Sequence, residues 1–513
     1  MKTLLLFLWL TVCSSLFALP LSPDGRKERD AWMEFLSVVY DQRAGDKKTL
    51  SRLEKLAAAN PESAYLKRLV VAEAVAQDLP DRAAPYVGFI EQENPSVDDY
   101  IVYGMYLASK EDLEGASDAY EKALSLDFEN DELLTSYVAI VEGFPVDEAA
   151  EKINRLAEKY PSLAPDFDAE IGRLYLQNNR LDTALSYANK SLSRQAQHPR
   201  ALLVRAGVYE KQQNYFLMLH DLETLDQLGY GNTSIYSRMA SVYLLVKDLP
   251  KAETYFLKVK KISPHDDGAN YFLALLAEEK KDYLTAARYV QDSASYAQSS
   301  KLQLQAAYFL SSAGKSAESL AALASAYRLN PDNVEIGFFY GLALNDDKQF
   351  KQAARVWKQV LQNSPSYEQA RFHYAFTLAE LGRYKEMEEQ AKWLLEKNPQ
   401  NAPILNLWAY VLAEQGKRLE EAVGYAARAL AVSPGDAAYI DTLAWIFYKQ
   451  GKLKEADDIL SAIPLHIIER NAEIAYHLGA VRLARGKTED AKIYLQMAQN
   501  EYPPAAKLLR KLK

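Results

Sequence analysis

The chain has 513 residues, a quarter of them charged, with a net charge of −9 and an isoelectric point near 5.5. An acidic balance without a basic stripe argues against nucleic-acid binding, because phosphate neutralisation needs clustered Lys and Arg. A length that would ordinarily mean several domains is here a count of repeats. Gly and Pro are sparse, strand-like alternation is absent and no Ser/Gly-rich linker sets off a second domain.

The chain opens on Met1-Lys2 and an apolar run, Leu4–Leu10, with no charge from Thr3 to Pro23. A short basic start followed by such a core reads as a secretory signal over residues 1–18. Cleavage after Ala18 or after Ser15 fits the small-residue rule in part, and roughly 20 uncharged residues could also remain as an anchor. Cys13 is the only cysteine. Leu10-Thr11-Val12-Cys13 resembles a bacterial lipoprotein box, although Val12 departs from the small residue expected there, so Cys13 is a candidate lipidation site set against plain signal filler. The segment predicts an exported protein, in a bacterial periplasm or on the periplasmic face of a membrane, without a disulfide.

From about residue 28 the chain repeats. Pro61, Pro95, Pro161, Pro199, Pro264, Pro331, Pro365, Pro399, Pro434 and Pro503 mark a period near 34, and the 442 residues from first to last are thirteen such intervals. A second pattern runs in phase with the prolines. Gly104, Leu107, Ala116, Tyr120 and Ala123 form an early copy, with Phe128 in the proline slot. The next units are weaker, with Tyr137 or Ala206 at the close-approach position and Met218 where alanine is usual. Near Ser193–Pro199 the spacing slips, as if about three extra residues lengthened a turn. Later copies run through Ala240–Val259, Ala307–Ala326, Gly341–Val360 and Ala409–Ala429. The last and clearest holds Gly479, Gly486, Ala491, Leu495, Ala498 and Pro503. Ala491, Leu495 and Ala498 follow the i, i+4, i+7 spacing of a buried helical stripe. Gly479 and Ala491 are small where two helices approach closely, and Gly486 suits a turn at positive φ.

This register resembles the tetratricopeptide repeat (TPR) family over nearly everything after residue 28. The resemblance implies an all-α, right-handed superhelical solenoid of about 14 helix-turn-helix units, in one continuous array. N-terminal units would occupy residues 28–197 and C-terminal units 198–513. It also implies a concave face lined by the first helix of each unit, exposed three before, one after and four after the close-approach residue. Applied here, that register selects Tyr271, Tyr308, Phe338, Phe372, Phe376, Tyr410, Trp445, Tyr448 and Tyr476. Earlier units place Arg68, Arg173, Leu203, Ser237 and Ser241 there. Exposed aromatics mark binding faces, and the competing reading is that they pack against the next repeat. The groove suits apolar or aromatic segments of a partner. A clamp for an acidic chain terminus is not expected, because cations do not line up with Asn345 and Asn406. Asp441-Thr442-Leu443-Ala444-Trp445 is similar to a stretch found in many bacterial envelope TPR proteins.

Signals of catalysis are missing. The chain has no Gly-rich phosphate loop, no nucleophile elbow and no H-E-x-x-H pair, and its six histidines are scattered, with only His466 and His477 near each other in sequence. The expectation is a non-enzymatic scaffold that uses no cofactor or metal and binds other proteins of the cell envelope. The alternative is a periplasmic TPR component of polysaccharide export that contacts glycan or export machinery.

Overall fold

A computed structural model describes residues 34, 35, 37, 38, 48–128 and 130–512. The predicted signal and Cys13 lie outside the described residues. Among the described residues every regular element is helical.

Helices alternate as pairs. The first unit contributes α1 (Thr49–Ala59); then come α2 (Ala64–Ala76) with α3 (Pro80–Ala83), α4 (Val97–Ser109) with α5 (Leu113–Leu126), and α6 (Asp131–Val141) with α7 (Val146–Lys159). Next are α8 (Ala164–Gln177) with α9 (Leu181–Arg194), α10 (Pro199–Lys211) with α11 (Tyr215–Gln227), and α12 (Thr233–Leu245) with α13 (Leu249–Ile262). The series continues with α14 (Asp267–Glu279) and α15 (Tyr283–Asp292), α16 (Ser300–Ser312) and α17 (Ser316–Leu329), and α18 (Val334–Asp346) and α19 (Phe350–Asn363). It ends with α20 (Glu368–Glu380) and α21 (Tyr384–Lys397), α22 (Ala402–Gln415) and α23 (Leu419–Val432), α24 (Ala437–Lys449) and α25 (Leu453–Ser461), α26 (Leu465–Ile468), α27 (Ala472–Ala484) and α28 (Thr488–Ala498), and α29 (Pro503–Lys511). By its packing the chain divides into two compact units, one up to Val242 and one from Tyr243.

One turn chemistry is reused between the helices of a pair. At the end of α14, Lys281 takes φ 58° and its N–H reaches Glu278 O at 2.8 Å, while the Asp282 N–H reaches back to Ala277 O at 2.9 Å. That closure satisfies carbonyls the helix end would otherwise orphan. Asp282 then caps α15 by accepting from the Thr285 N–H at 3.1 Å. Asp112, Asn214 and Asp248 cap their helices in the same way. The left-handed residue recurs at Asp78, Glu111, Asn179, Gln213, Lys247, Lys281, Gly314, Lys348, Gly382, Gly416, Gly451 and Gly486. Gly486 therefore adopts the conformation expected for it.

The close approach within a pair is enforced by volume. A Cβ on Gly341 would stand 2.6 Å from the Trp357 ring, and one on Gly479 would stand 2.8 Å from Leu495. Trp357, Ala491, Leu495 and Ala498 are fully buried. In the weak units the larger residue is accommodated: Tyr137 is buried and its hydroxyl donates to Glu121 at 3.0 Å, and Met218 is buried.

Two expectations are corrected. The Ser193–Pro199 joint has no insertion: four residues separate α9 from α10, as four separate α13 from α14 and α17 from α18. Pro199 is instead the first residue of α10, where a missing N–H costs nothing, whereas Pro264, Pro331 and Pro365 lie three residues before their helices. The joint is held by His198, which caps α10 at the Ala201 N–H and lies 3.1 Å from Asp166. Pro503 likewise begins α29. The second correction concerns the second helix of the second unit. After α3 the chain runs as a 3₁₀ stretch, Ala84–Glu91, because Pro85 lacks the donor an α-helix requires.

Candidate functional site

Within the unit that begins at Tyr243, first helices pack on first helices: α18 on α20, α20 on α22, α22 on α24 and α24 on α27. Among the described residues, successive second helices do not pack on one another comparably. From α18 onward the first helices therefore share one side, the inner side, of this unit. Bonds across that side agree. The Tyr410 hydroxyl on α22 donates to Glu473 on α27 at 2.6 Å, a link between units two steps apart.

The nine aromatic positions fall into an open part and a closed part. Tyr271 and Tyr308 are open, 44% and 53% exposed. Phe338, Phe372 and Phe376 are half-buried. Phe338 lies edge-on to Trp357 and stacks on Tyr367 at 5.2 Å, and Phe376 meets Phe350 at 6.4 Å. Beyond them the row closes on itself.

Trp445 was assigned by register to an exposed position, and the structure buries it to 4% exposure. Its indole N–H donates to Glu414 at 2.6 Å, and its ring stacks on His477 at 3.8 Å and Tyr448 at 4.6 Å. Lys449 pairs with the same Glu414 oxygen at 3.1 Å. Burial works to raise Glu414, but the bonds from Trp445 and Lys449 outweigh it and hold the carboxyl below its usual range. His477 is fully buried, with Nδ1 2.8 Å from Asp441. Tyr476 packs at a tilt against Tyr502 at 4.9 Å, and Tyr502 shares the Glu473 acceptor with Tyr410. Burial first, then the negative charge of Glu473, pushes the Tyr410 and Tyr502 hydroxyls well above the ordinary tyrosine value. Tyr410, Trp445, Tyr448 and Tyr476 thus form a stacked, hydrogen-bonded lock that joins the last units.

Sequence reasoning missed the carboxylates beside the row, because nothing in their spacing distinguishes them from a solvated face. Glu380 follows Phe376 by one helical turn. Burial, then Glu473 opposite, raises its pKa, with Lys348 opposing. His466 and His477 are not alike: His466 is exposed on α26 and His477 is enclosed. Asn345 is buried and accepts from Thr377 at 2.8 Å. In the other unit, a cleft of about 310 Å³ is lined by Leu134, Val138, Glu142, Glu170, Arg173 and Arg200. Its charges satisfy one another, since Arg173 bridges Glu142 and Glu170. Arg68 is similarly committed, to Asp99 at 3.0 Å. No group of three or more His, Cys, Asp or Glu among the described residues is placed to hold a metal ion, and no helix among them is long and apolar enough to cross a membrane.

Residues 100–130, 146–199, 169–215 and 304–368 match models of the tetratricopeptide repeat. Over those stretches the chain carries tetratricopeptide (TPR) repeats. No curated protein matches it by sequence. Among solved structures it is similar to residues 41-end of MamA from Desulfovibrio magneticus RS-1, at 19% identity over 32% of this chain and 92% of that one, with a TM-score of 0.30. The Cut9–Hcn1 APC/C hetero-tetramer aligns at 14% identity over 91% of this chain and 99% of that one, with a TM-score of 0.37. Yeast Tom70 aligns at 14% identity over 80% and 93%, with a TM-score of 0.33. At these scores the alignments say nothing about what this TPR chain binds.

Proposed function

We propose that this TPR chain is a non-catalytic scaffold that holds a segment of a partner protein against the first-helix face of the unit beginning at Tyr243. The observation that carries the reading is the open aromatic stretch from Tyr271 to Phe376. Rings left in water at helical register on an inner face are what an apolar partner would cover. The locked end at Trp445 supports it in a different way, by fixing one end of the face so that less order is lost on binding. The proposed setting, outside the cytoplasm of a bacterium and beside envelope proteins, rests on residues 1–18 and on the Asp441–Trp445 resemblance.

The test is quantitative capture. Full-length chain bearing Tyr271→Ala and Tyr308→Ala is compared with the parent for proteins retained from its own cells, by mass spectrometry. The expected result is loss, by about tenfold or more, of a discrete partner that the parent and a Phe216→Ala variant both retain. An unchanged set would sink the site. Glycan binding by the isolated chain, lost with the same two tyrosines and without any protein partner, would move the reading to polysaccharide export.

A further inference from the structure

Resting on that reading, we infer that the segment held by the aromatic face is basic, carrying Lys or Arg side chains between its apolar contacts. The observation is a charge difference between the two sides of one unit. The seven first helices from α14 to α27 carry ten carboxylates against four cations, a balance of −6. The seven second helices paired with them, from α15 to α28, carry 13 carboxylates against 11 cations, a balance of −2. Helix dipoles favour acids in the first turn of both sets alike, so they do not produce the difference.

Spacing puts charge and rings on the same faces. Tyr271, Leu275 and Glu278 follow i, i+4, i+7; Glu335, Phe338 and Leu342 follow i, i+3, i+7; Phe372, Phe376 and Glu380 follow i, i+4, i+8. Three of the four first-helix cations are engaged. Arg371 lies 4.0 Å over the Trp393 ring, Lys449 pairs with Glu414, and Arg482 pairs with Asp457 at 3.2 Å. The Glu278, Glu335 and Glu380 carboxylates make no ion pair or side-chain hydrogen bond among the described residues, although Lys348 acts on Glu380 from a distance. Glu380 also faces Glu473 across the inner side, two like charges whose repulsion a cation would relieve. Rings beside unpaired carboxylates offer a cation both a π-face and a counter-charge.

The experiment uses the full chain and a fluorescein-labelled peptide of repeated Gly-Leu-Lys-Pro-Arg, with a Glu-for-Lys/Arg counterpart, read by anisotropy at ~0.15 M salt. One variant carries Glu278→Gln, Glu335→Gln and Glu380→Gln. A second removes the same charge from second helices, with Glu389→Gln, Glu396→Gln and Asp458→Asn, all exposed. Helicity and melting are checked for both. The expected result is binding of the basic peptide only, weakened about tenfold in the first variant and under about twofold in the second. Equal weakening in both, none in either, or equal binding of the acidic peptide would overturn the inference. A partner captured through Tyr271 and Tyr308 whose bound segment is neutral or acidic would also overturn it, and would leave the scaffold reading intact.

Discussion

Two residue positions per unit do most to set the geometry, and they respond to glycine in opposite ways. At the close approach the Cβ is the problem. Gly341→Ala forces an atom against the fully buried Trp357 ring and is expected to cost about 2 kcal/mol. In the turn the Cβ is tolerated at a cost, since a left-handed L-residue is held there by its two flanking bonds. Lys281→Gly keeps the Glu278 and Ala277 carbonyls satisfied and relieves about 1 kcal/mol. The check is the shift of the urea midpoint for each variant, expected downward for the first and upward for the second. Shifts of the same sign would contradict the account. Gly341 and Gly486 were readable from the sequence because their small size is itself the signal. Lys281 was not, because a lysine in a left-handed turn looks like any surface lysine; only the 34-residue recurrence of positive φ exposes its role.

At the scale of the element, the first helices do two jobs that one sequence register cannot separate. Tyr308 and Trp445 both stand one residue after the close-approach position, yet one is open and the other buried. The difference comes from the adjacent repeats, since Trp445 is covered by Glu414 on α22 and by His477 and Tyr476 on α27, while Tyr410 reaches on to Glu473. A period of 34 says which helices are neighbours and not which side chains on them pair, so the lock was illegible while the repeat was plain. The proline register was legible in most units. It misled at Pro199, where the ring serves a helix start and no residues are inserted. The lock has a pH signature. Tyr410 and Tyr502 stay protonated in the fold above the ordinary value of 10.0, so between that value and their own the unfolded chain binds fewer protons. Stability is therefore expected to fall as pH rises past ~10. Glu473→Gln removes one cause of the shift, and ultraviolet titration is expected to find more tyrosinate before unfolding begins than in the parent. An identical titration curve would separate Glu473 from the lock.

At the scale of the molecule, stability in a TPR array is close to a sum over neighbouring repeats, so a face can be opened in one stretch and closed in another without a shared core failing. This chain uses that freedom within the unit that begins at Tyr243, with a ring-lined acidic stretch left unsatisfied and a terminal stretch that satisfies itself. The central claim is that the open stretch, and not the lock, meets the partner. The most direct measurement places a photoreactive amino acid at Tyr308, at Trp445 and at Phe216 (81% exposed, in the other unit) in separate full-length chains, crosslinks them in the native cell and identifies adducts by mass spectrometry. The account predicts a discrete protein adduct at Tyr308 and none at the other two positions. An adduct at Phe216 or Trp445, with none at Tyr308, would contradict it.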